Sequence, residues 1–190
     1  MKRLVFVCAC AGLCATIPAA SAVAQQKPAK FGIGRPATPD EIKALDIDVA
    51  PSSAGLPEGR GSVAEGAAIY AAKCASCHGK AGEGGTFDQL VGRESGENFA
   101  FAKDARLVKT IGSYWPYAST LYDYTARSMP FQQPGTLTTN EVYGVVAYLL
   151  SLNKIIPDDA VMDRTSLPKV VMPAHDRFVK DNRTGGKVVK

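Results

Sequence analysis

The residues of this 190-residue chain that are best suited to chemistry form one short run, Cys74-Ala75-Ser76-Cys77-His78. Their C-x-x-C-H spacing is the attachment sequence of c-type haem. Two thiols separated by two residues near a helix end can each add to a vinyl group of one porphyrin, which holds His78 beneath the iron as the proximal ligand. The run occurs once, so it predicts one covalently attached haem c.

The first 24 residues have the pattern of a signal peptide. A basic start precedes an uncharged apolar stretch, Leu4–Ile17, which as a helix would be about 21 Å long, short of the ~30 Å bilayer core. Small-x-small sites then end at Ala22 and Ala24. The pattern predicts cleavage after Ala22 or Ala24, export to the periplasm and no stable membrane span after processing. An uncleaved membrane anchor is the alternative.

The composition excludes several classes of protein. With 46% hydrophobic and 21% charged residues, the chain is not collagen-like, a coiled coil or wholly disordered. The formal net charge of +4 is small and scattered, so no nucleic-acid partner is expected. Cleavage would remove two of the 22 basic residues, none of the 18 acidic ones and three of the five cysteines, which leaves Cys74 and Cys77.

Three other kinds of site use similar residues. A zinc site needs four ligands, but the mature chain has no second pair of cysteines and one further histidine, His175. A thioredoxin-like redox pair needs a βαβ context, whereas the surrounding pattern is helical. A structural disulfide between Cys74 and Cys77 would leave His78 without a role. Haem attachment is the interpretation that uses all three side chains.

The sixth ligand of the iron must come from elsewhere in the chain. Met129 precedes Pro130, and a residue before proline is biased towards an extended conformation. An extended loop can bring a thioether to iron without burying unpaired backbone groups, so Met129 is the predicted distal ligand. Met172, Met162 and His175 are the alternatives, as is an open sixth site.

Capping patterns predict where three helices begin. The run at residues 38–41 predicts a short helix to about Leu45, and the box Ser62-Val63-Ala64-Glu65 opens a helix that delivers the cysteine pair. A third box at residues 138–141 opens the most apolar helix, which runs through Leu152.

The remaining patterns are weaker. A further helix is expected from Pro116 to Arg127, and Leu107, Val108 and Ile111 predict helical structure near residues 101–111. No stretch is rich in strand signals. The predicted fold class is all-α.

These residues together resemble the class I c-type cytochromes, over about residues 62–152. In that family a first helix carrying Gly-x-x-x-aromatic-x-x-x-Cys crosses the C-terminal helix, and a Met-Pro pair supplies the distal ligand. The matching residues are Gly66, Tyr70 and Cys74 on the first helix, Gly144 and Tyr148 on the last, and Met129-Pro130 between them.

The resemblance implies the class I cytochrome c fold with extended N- and C-terminal arms. The expected organisation is a signal peptide at residues 1–24, an extended arm at 25–61, the cytochrome c domain at 62–153 and a C-terminal arm at 154–190. By analogy with the family, Trp115 or Tyr114 donates a hydrogen bond to a haem propionate. The alternative for Trp115 is a core position, which is usual for a lone tryptophan in a helical domain. The family usually has a proline carbonyl that accepts the hydrogen bond from the proximal histidine, but residues 87–92 contain no proline.

A narrower resemblance is to the cytochrome subunits of periplasmic molybdenum sulfite or sulfane dehydrogenases, which act in sulfur oxidation. The stretches that match them are residues 31–39, 46–49, 112–118, 128–131 and 141–152. This resemblance implies such a dehydrogenase as electron donor and a downstream cytochrome or oxidase as acceptor.

The expected function is therefore that of an electron carrier rather than an enzyme. Ligation by His78 and Met129 would fill both axial positions, which suits transfer of single electrons through an exposed haem edge. The alternative is a catalytic or ligand-binding haem c protein with a displaceable sixth ligand.

Overall fold

A computed structural model describes residues 31–94, 100–102, 104–179 and 182. The predicted signal peptide, residues 1–24, lies outside these ranges. The chain divides into two units, residues 1–37 and 38–190. In the first unit, the described residues 31–37 are exposed and belong to no helix or strand.

The second unit is built from helices, as predicted. The elements in chain order are α1 (Pro39–Leu45), β1 (Arg60–Ser62), α2 (Val63–Lys73), α3 (Ala75–His78), a 3-10 turn (Ala100–Ala102), α4 (Ala118–Ser128), α5 (Thr139–Leu152), β2 (Val161–Asp163) and two further 3-10 turns (Leu167–Lys169 and His175–Arg177). All three capping predictions are confirmed, because Thr38, Ser62 and Thr138 each form a complete capping box.

The helix α5 forms the centre of the core. Nine of its residues are buried, from Val142 to Ser151, because α2, α4 and both strands pack around it. The crossing of α2 over α5 depends on Gly66, where an added Cβ would lie 1.8 Å from the carbonyl oxygen of Gly144. Beside this contact the rings of Tyr70 and Tyr148 pack with centroids 5.3 Å apart. The crossing inferred from the family resemblance is therefore present.

Two short strands join the start of the domain to the C-terminal arm. Strands β1 and β2 pair antiparallel, with Gly61 opposite Met162. A strand of three residues is too short to show an alternating pattern, which is why the sequence did not reveal it. The pairing holds the C-terminal arm against the beginning of α2.

The prediction of a helix near residues 101–111 is wrong. Among the described residues of this stretch, the 3-10 turn Ala100–Ala102 is the only helical structure, and residues 104–111 contain no helix. Instead, Ile111 donates its N–H to the carbonyl of Leu90, and the Thr110 hydroxyl donates to the carbonyl of Gly92. Hydrogen bonds to a distant segment have replaced those that a helix would have formed within itself.

A buried amide fixes this pair of segments to the end of α5. The side-chain oxygen of Asn153 accepts the N–H groups of Gly92 and Gly112 at 3.0 and 3.1 Å. Its nitrogen donates to the carbonyls of Leu90 and Leu149. One side chain therefore positions residues 90–92 and 110–112, which border the site described next.

Within the described ranges, no helix combines the length and the apolar character that a membrane span requires.

Candidate haem site

The two cysteines and His78 face one cavity of about 490 Å³. Cys74 lies at the junction of α2 and α3, Cys77 lies within α3, and His78 is its last residue. The volume is in the range of ligand and cofactor sites, ~300–1,000 Å³. The apolar part of the wall includes Tyr70, Leu90, Ile111, Leu121, Val145 and Leu149.

The ring of His78 is held in the tautomer that suits a metal ligand. Its Nδ1 lies 2.8 Å from the carbonyl oxygen of Asp88. A carbonyl only accepts hydrogen bonds, so Nδ1 carries a proton, and in the neutral ring the lone pair is then on Nε2. The acceptor that the family usually takes from a proline is here the carbonyl of Asp88. Such a hydrogen bond orients the ring and makes the imidazole a stronger ligand.

Within the described part of the chain, no disulfide joins Cys74 to Cys77. Burial raises the pKa of the Cys74 thiol to about 11, so in the chain without haem this group is protonated at neutral pH. The two thiols lie on the wall that also carries His78, as covalent attachment of one porphyrin requires.

Met129 lies on the same cavity, at the end of α4. Its backbone is extended, with φ −121° and ψ 148°, as expected for a residue that precedes proline. The other candidate ligands lie elsewhere. Met162 and Met172 are core residues, 6% and 2% exposed, and His175 pairs with Asp176 and packs edge-on against Tyr117.

The two predicted propionate donors are placed differently. Trp115 lines the cavity and packs edge-on against Tyr124, with ring centroids 5.7 Å apart. Tyr114 is not among the described residues that line the cavity, and its ring packs between Phe101 and Phe178. Their roles toward a propionate stay predictions.

The wall also contains charged side chains that the sequence did not single out. The ammonium group of Lys73 bonds Glu141 at 2.7 Å, which joins α2 to α5 and holds the pKa of Glu141 below its ordinary value. Lys109 also lines the cavity, with its ammonium group 5.0 Å from the centre of the Tyr114 ring. Neither lysine belongs to a motif, so only their positions in the fold identify them.

The donor set fits a covalently held haem. It comprises two thiols, an imidazole whose Nε2 is available and a thioether, all on an otherwise largely apolar cavity. Soft thioether sulfur and imidazole nitrogen are the ligand pair of the cytochromes c.

Comparison with known proteins agrees with this chemistry. Residues 61–149 match the family described as cytochrome c oxidase, cbb3-type, subunit III. The fold is similar to a chain in the crystal structure of the sulfane dehydrogenase SoxCD from Paracoccus pantotrophus, with 39% identity and a TM-score of 0.70 over 85% of this chain and 86% of that chain. The chain belongs to the class I c-type cytochromes. As a member of this family it is a haem electron carrier.

This cytochrome is also similar to the thiosulfate dehydrogenase of Stutzerimonas stutzeri (strain A1501). The two are 29% identical over 63% of this chain. The matched part spans 36% of the length of that protein, so the cytochrome corresponds to about a third of this relative.

Proposed function

We propose that this cytochrome attaches one haem c through thioether bonds to Cys74 and Cys77, with His78 and Met129 as its axial ligands. In this role it carries single electrons in the periplasm. The observation that supports the proposal is the common cavity, which brings Met129 to the same space as His78 and both thiols.

The haem supplies a one-electron iron couple, and the residues of the chain decide how that couple is used. The thioether bonds retain the haem after export. The Asp88 carbonyl fixes the orientation of the His78 ring, and His78 and Met129 would be the two ligands that the protein supplies to the iron. Ligation by both side chains would leave no position on the iron for a substrate, which suits transfer of single electrons rather than catalysis at the metal.

The proposed electron donor is a molybdenum sulfite or sulfane dehydrogenase, and the proposed acceptor is a downstream cytochrome or oxidase. Similarity to a sulfane dehydrogenase chain and to a thiosulfate dehydrogenase supports a place in sulfur oxidation. The pattern of residues 1–24 supports cleavage after Ala22 or Ala24 and a periplasmic location. Reduction of the purified cytochrome by such a dehydrogenase and its substrate is the test.

The alternative is a catalytic haem protein whose sixth ligand is displaced by substrate. Similarity to a thiosulfate dehydrogenase is the observation in its favour. The two functions differ in the strength of the bond between Met129 and the iron, so ligand-binding spectra distinguish them.

The deciding experiment compares Met129→Leu with Met172→Leu, because both replace a thioether by an apolar side chain of similar volume. We expect the oxidised wild type to show the weak sulfur-to-iron charge-transfer band and the reduced wild type to bind carbon monoxide poorly. Met129→Leu should lose the band, lower the reduction potential and bind carbon monoxide, whereas Met172→Leu should behave as the wild type.

Two outcomes would contradict the proposed function as an electron carrier. One is a wild type that binds carbon monoxide readily, and the other is an unchanged spectrum in Met129→Leu. Either result favours the catalytic alternative.

A further inference from the structure

Two large aromatic side chains lie exposed at the edge of the cavity. Phe87 is 46% exposed and Phe131 is 68% exposed, and both line the cavity. Their rings nevertheless meet, with centroids 5.7 Å apart and planes tilted by 45°. This separation and tilt are typical of a favourable aromatic pair.

Phe87 belongs to the side of the cavity that carries His78. Its N–H donates to the carbonyl of Cys77 at 3.0 Å, and its ring centroid lies 6.3 Å from that of His78. The following residue, Asp88, supplies the carbonyl that holds Nδ1 of His78. Movement of Phe87 is therefore coupled to the segment that positions the proximal ligand.

Phe131 belongs to the loop that carries Met129, two residues earlier. Residues 131–136 are all exposed. The hydrogen bonds of this part of the loop are local, from Gln133 N–H to the Pro130 carbonyl and from the Thr136 hydroxyl to the Gln133 carbonyl. Local hydrogen bonds shape a turn but do not hold it against the rest of the molecule. The contact between the rings of Phe131 and Phe87 does hold the loop, because Phe87 lies on the side of the cavity that carries His78.

We propose that the pair Phe87–Phe131 acts as a clasp across the edge of the cavity, keeping Met129 on the iron and limiting access of external ligands to the sixth position. The inference rests on the proposed ligation by Met129. Neither ring donates to the iron, so both are positioning residues. They act on the equilibrium between a closed loop and an open loop from which Met129 has withdrawn.

The size of the effect follows from the strength of an aromatic pair. Loss of such a contact should raise the population of the open loop about 2- to 10-fold. An external ligand that binds only the open form gains apparent affinity by the same factor.

The experiment uses the full-length holoprotein with Phe87→Ala, Phe131→Ala and the double variant. Imidazole is titrated into the oxidised protein and carbon monoxide into the reduced protein, and the charge-transfer band is recorded in each. Phe131→Tyr keeps the ring and should retain wild-type affinities. Phe178→Ala is the matched control, because Phe178 is a similarly exposed ring that pairs with Tyr114 and does not line the cavity.

We expect each single alanine variant to bind both ligands about 2- to 10-fold more tightly than the wild type. The double variant should match the single variants, since removal of either ring already opens the clasp.

The clasp is overturned if Phe87→Ala leaves both affinities unchanged, or if the two single effects multiply in the double variant. If the wild type still shows its sulfur-to-iron band, those results overturn the clasp alone and leave the ligation by Met129 standing. A wild type without that band overturns the ligation by Met129, and the clasp with it.

Discussion

At the scale of single residues, the carboxylate of Asp123 holds the segment around Val49 against α4. Asp123 accepts the N–H of Val49 at 2.8 Å, and its two oxygens also bond the guanidinium of Arg127. Val49 is thereby held in the core. The Asp123 side chain is only 14% exposed, and the hydrogen bonds from Arg127 hold its pKa below the ordinary value of 3.8.

Asp123→Asn should lower the free energy of unfolding by about 1–2 kcal/mol at pH 7, because it weakens charge-assisted hydrogen bonds at a largely buried site. A group whose pKa is lowered by folding stabilises the fold above its ordinary pKa, and this contribution is lost as the pH falls through the lowered value. The difference between variant and wild type should therefore shrink in denaturant unfolding below pH 3.8.

Asp104→Asn provides the comparison for this prediction. Asp104 pairs with Arg106, an exposed residue two positions away, so its replacement should leave the free energy of unfolding almost unchanged. Equal effects of the two substitutions, or an Asp123 effect that does not depend on pH, would contradict the interpretation.

Several residues that line the cavity could be predicted from the sequence because their signal is local. The C-x-x-C-H motif predicts haem attachment from five consecutive residues, and Pro130 favours an extended backbone at Met129, the residue directly before it. The carbonyl of Asp88, Lys109 and the pair Phe87–Phe131 could not be identified in this way. Each matters through a partner that is close in space but distant in sequence or outside any motif, and only the folded chain brings the partners together.

At the scale of elements, α2 and α5 approach each other asymmetrically. A Cβ on Gly66 would overlap backbone atoms of Gly144, whereas a Cβ on Gly144 would lie 3.2 Å from its nearest neighbour, the Gly66 nitrogen. A backbone atom inside a buried helix cannot move aside without shifting the whole helix. The two glycines of this crossing should therefore differ in their tolerance of a methyl group.

Gly66→Ala should destabilise the holoprotein by about 3 kcal/mol. For Gly144→Ala we expect a change within about 1 kcal/mol, because a small displacement relieves the contact and alanine is the better helix former. Urea unfolding of the two variants and the wild type measures both values. Similar losses in the two variants would show that the crossing is not controlled by the approach of Gly66 to the Gly144 carbonyl.

The elements that the sequence predicted well are those whose ends it marks chemically. The capping boxes at Thr38, Ser62 and Thr138 mark the residues at which α1, α2 and α5 begin. The segment after residue 104 and strand β2 carry no such marks. Their conformations depend on hydrogen bonds to distant segments, and an apolar spacing that suits a helix does not reveal that competition.

At the scale of the whole molecule, the haem domain and its C-terminal arm share one core. Leu167 and Met172 pack in that core together with α5, and β2 pairs with β1 ahead of α2. The arm is therefore part of the scaffold that supports the cavity rather than an appendage.

Mass spectrometry of the denatured mature protein should show one haem added to a chain that begins at Val23 or Gln25, because thioether bonds survive unfolding and the peptidase sites end at Ala22 and Ala24. The same chain expressed without the haem-attachment machinery should carry no haem and is the control. An unmodified chain from a strain competent in attachment would contradict covalent binding, and a mature chain that retains Leu4–Ile17 would indicate an anchored protein.

The hydrogen bond from His78 to Asp88 has a consequence for how such proteins diverge. Its acceptor is a main-chain atom, so any residue at position 88 that follows the same backbone path offers the same oxygen. Substitutions there can accumulate without altering the histidine, and a search pattern written around a proline at this point would overlook chains like this one. The hydrogen bond therefore constrains the path of the backbone at position 88 and not the identity of its side chain.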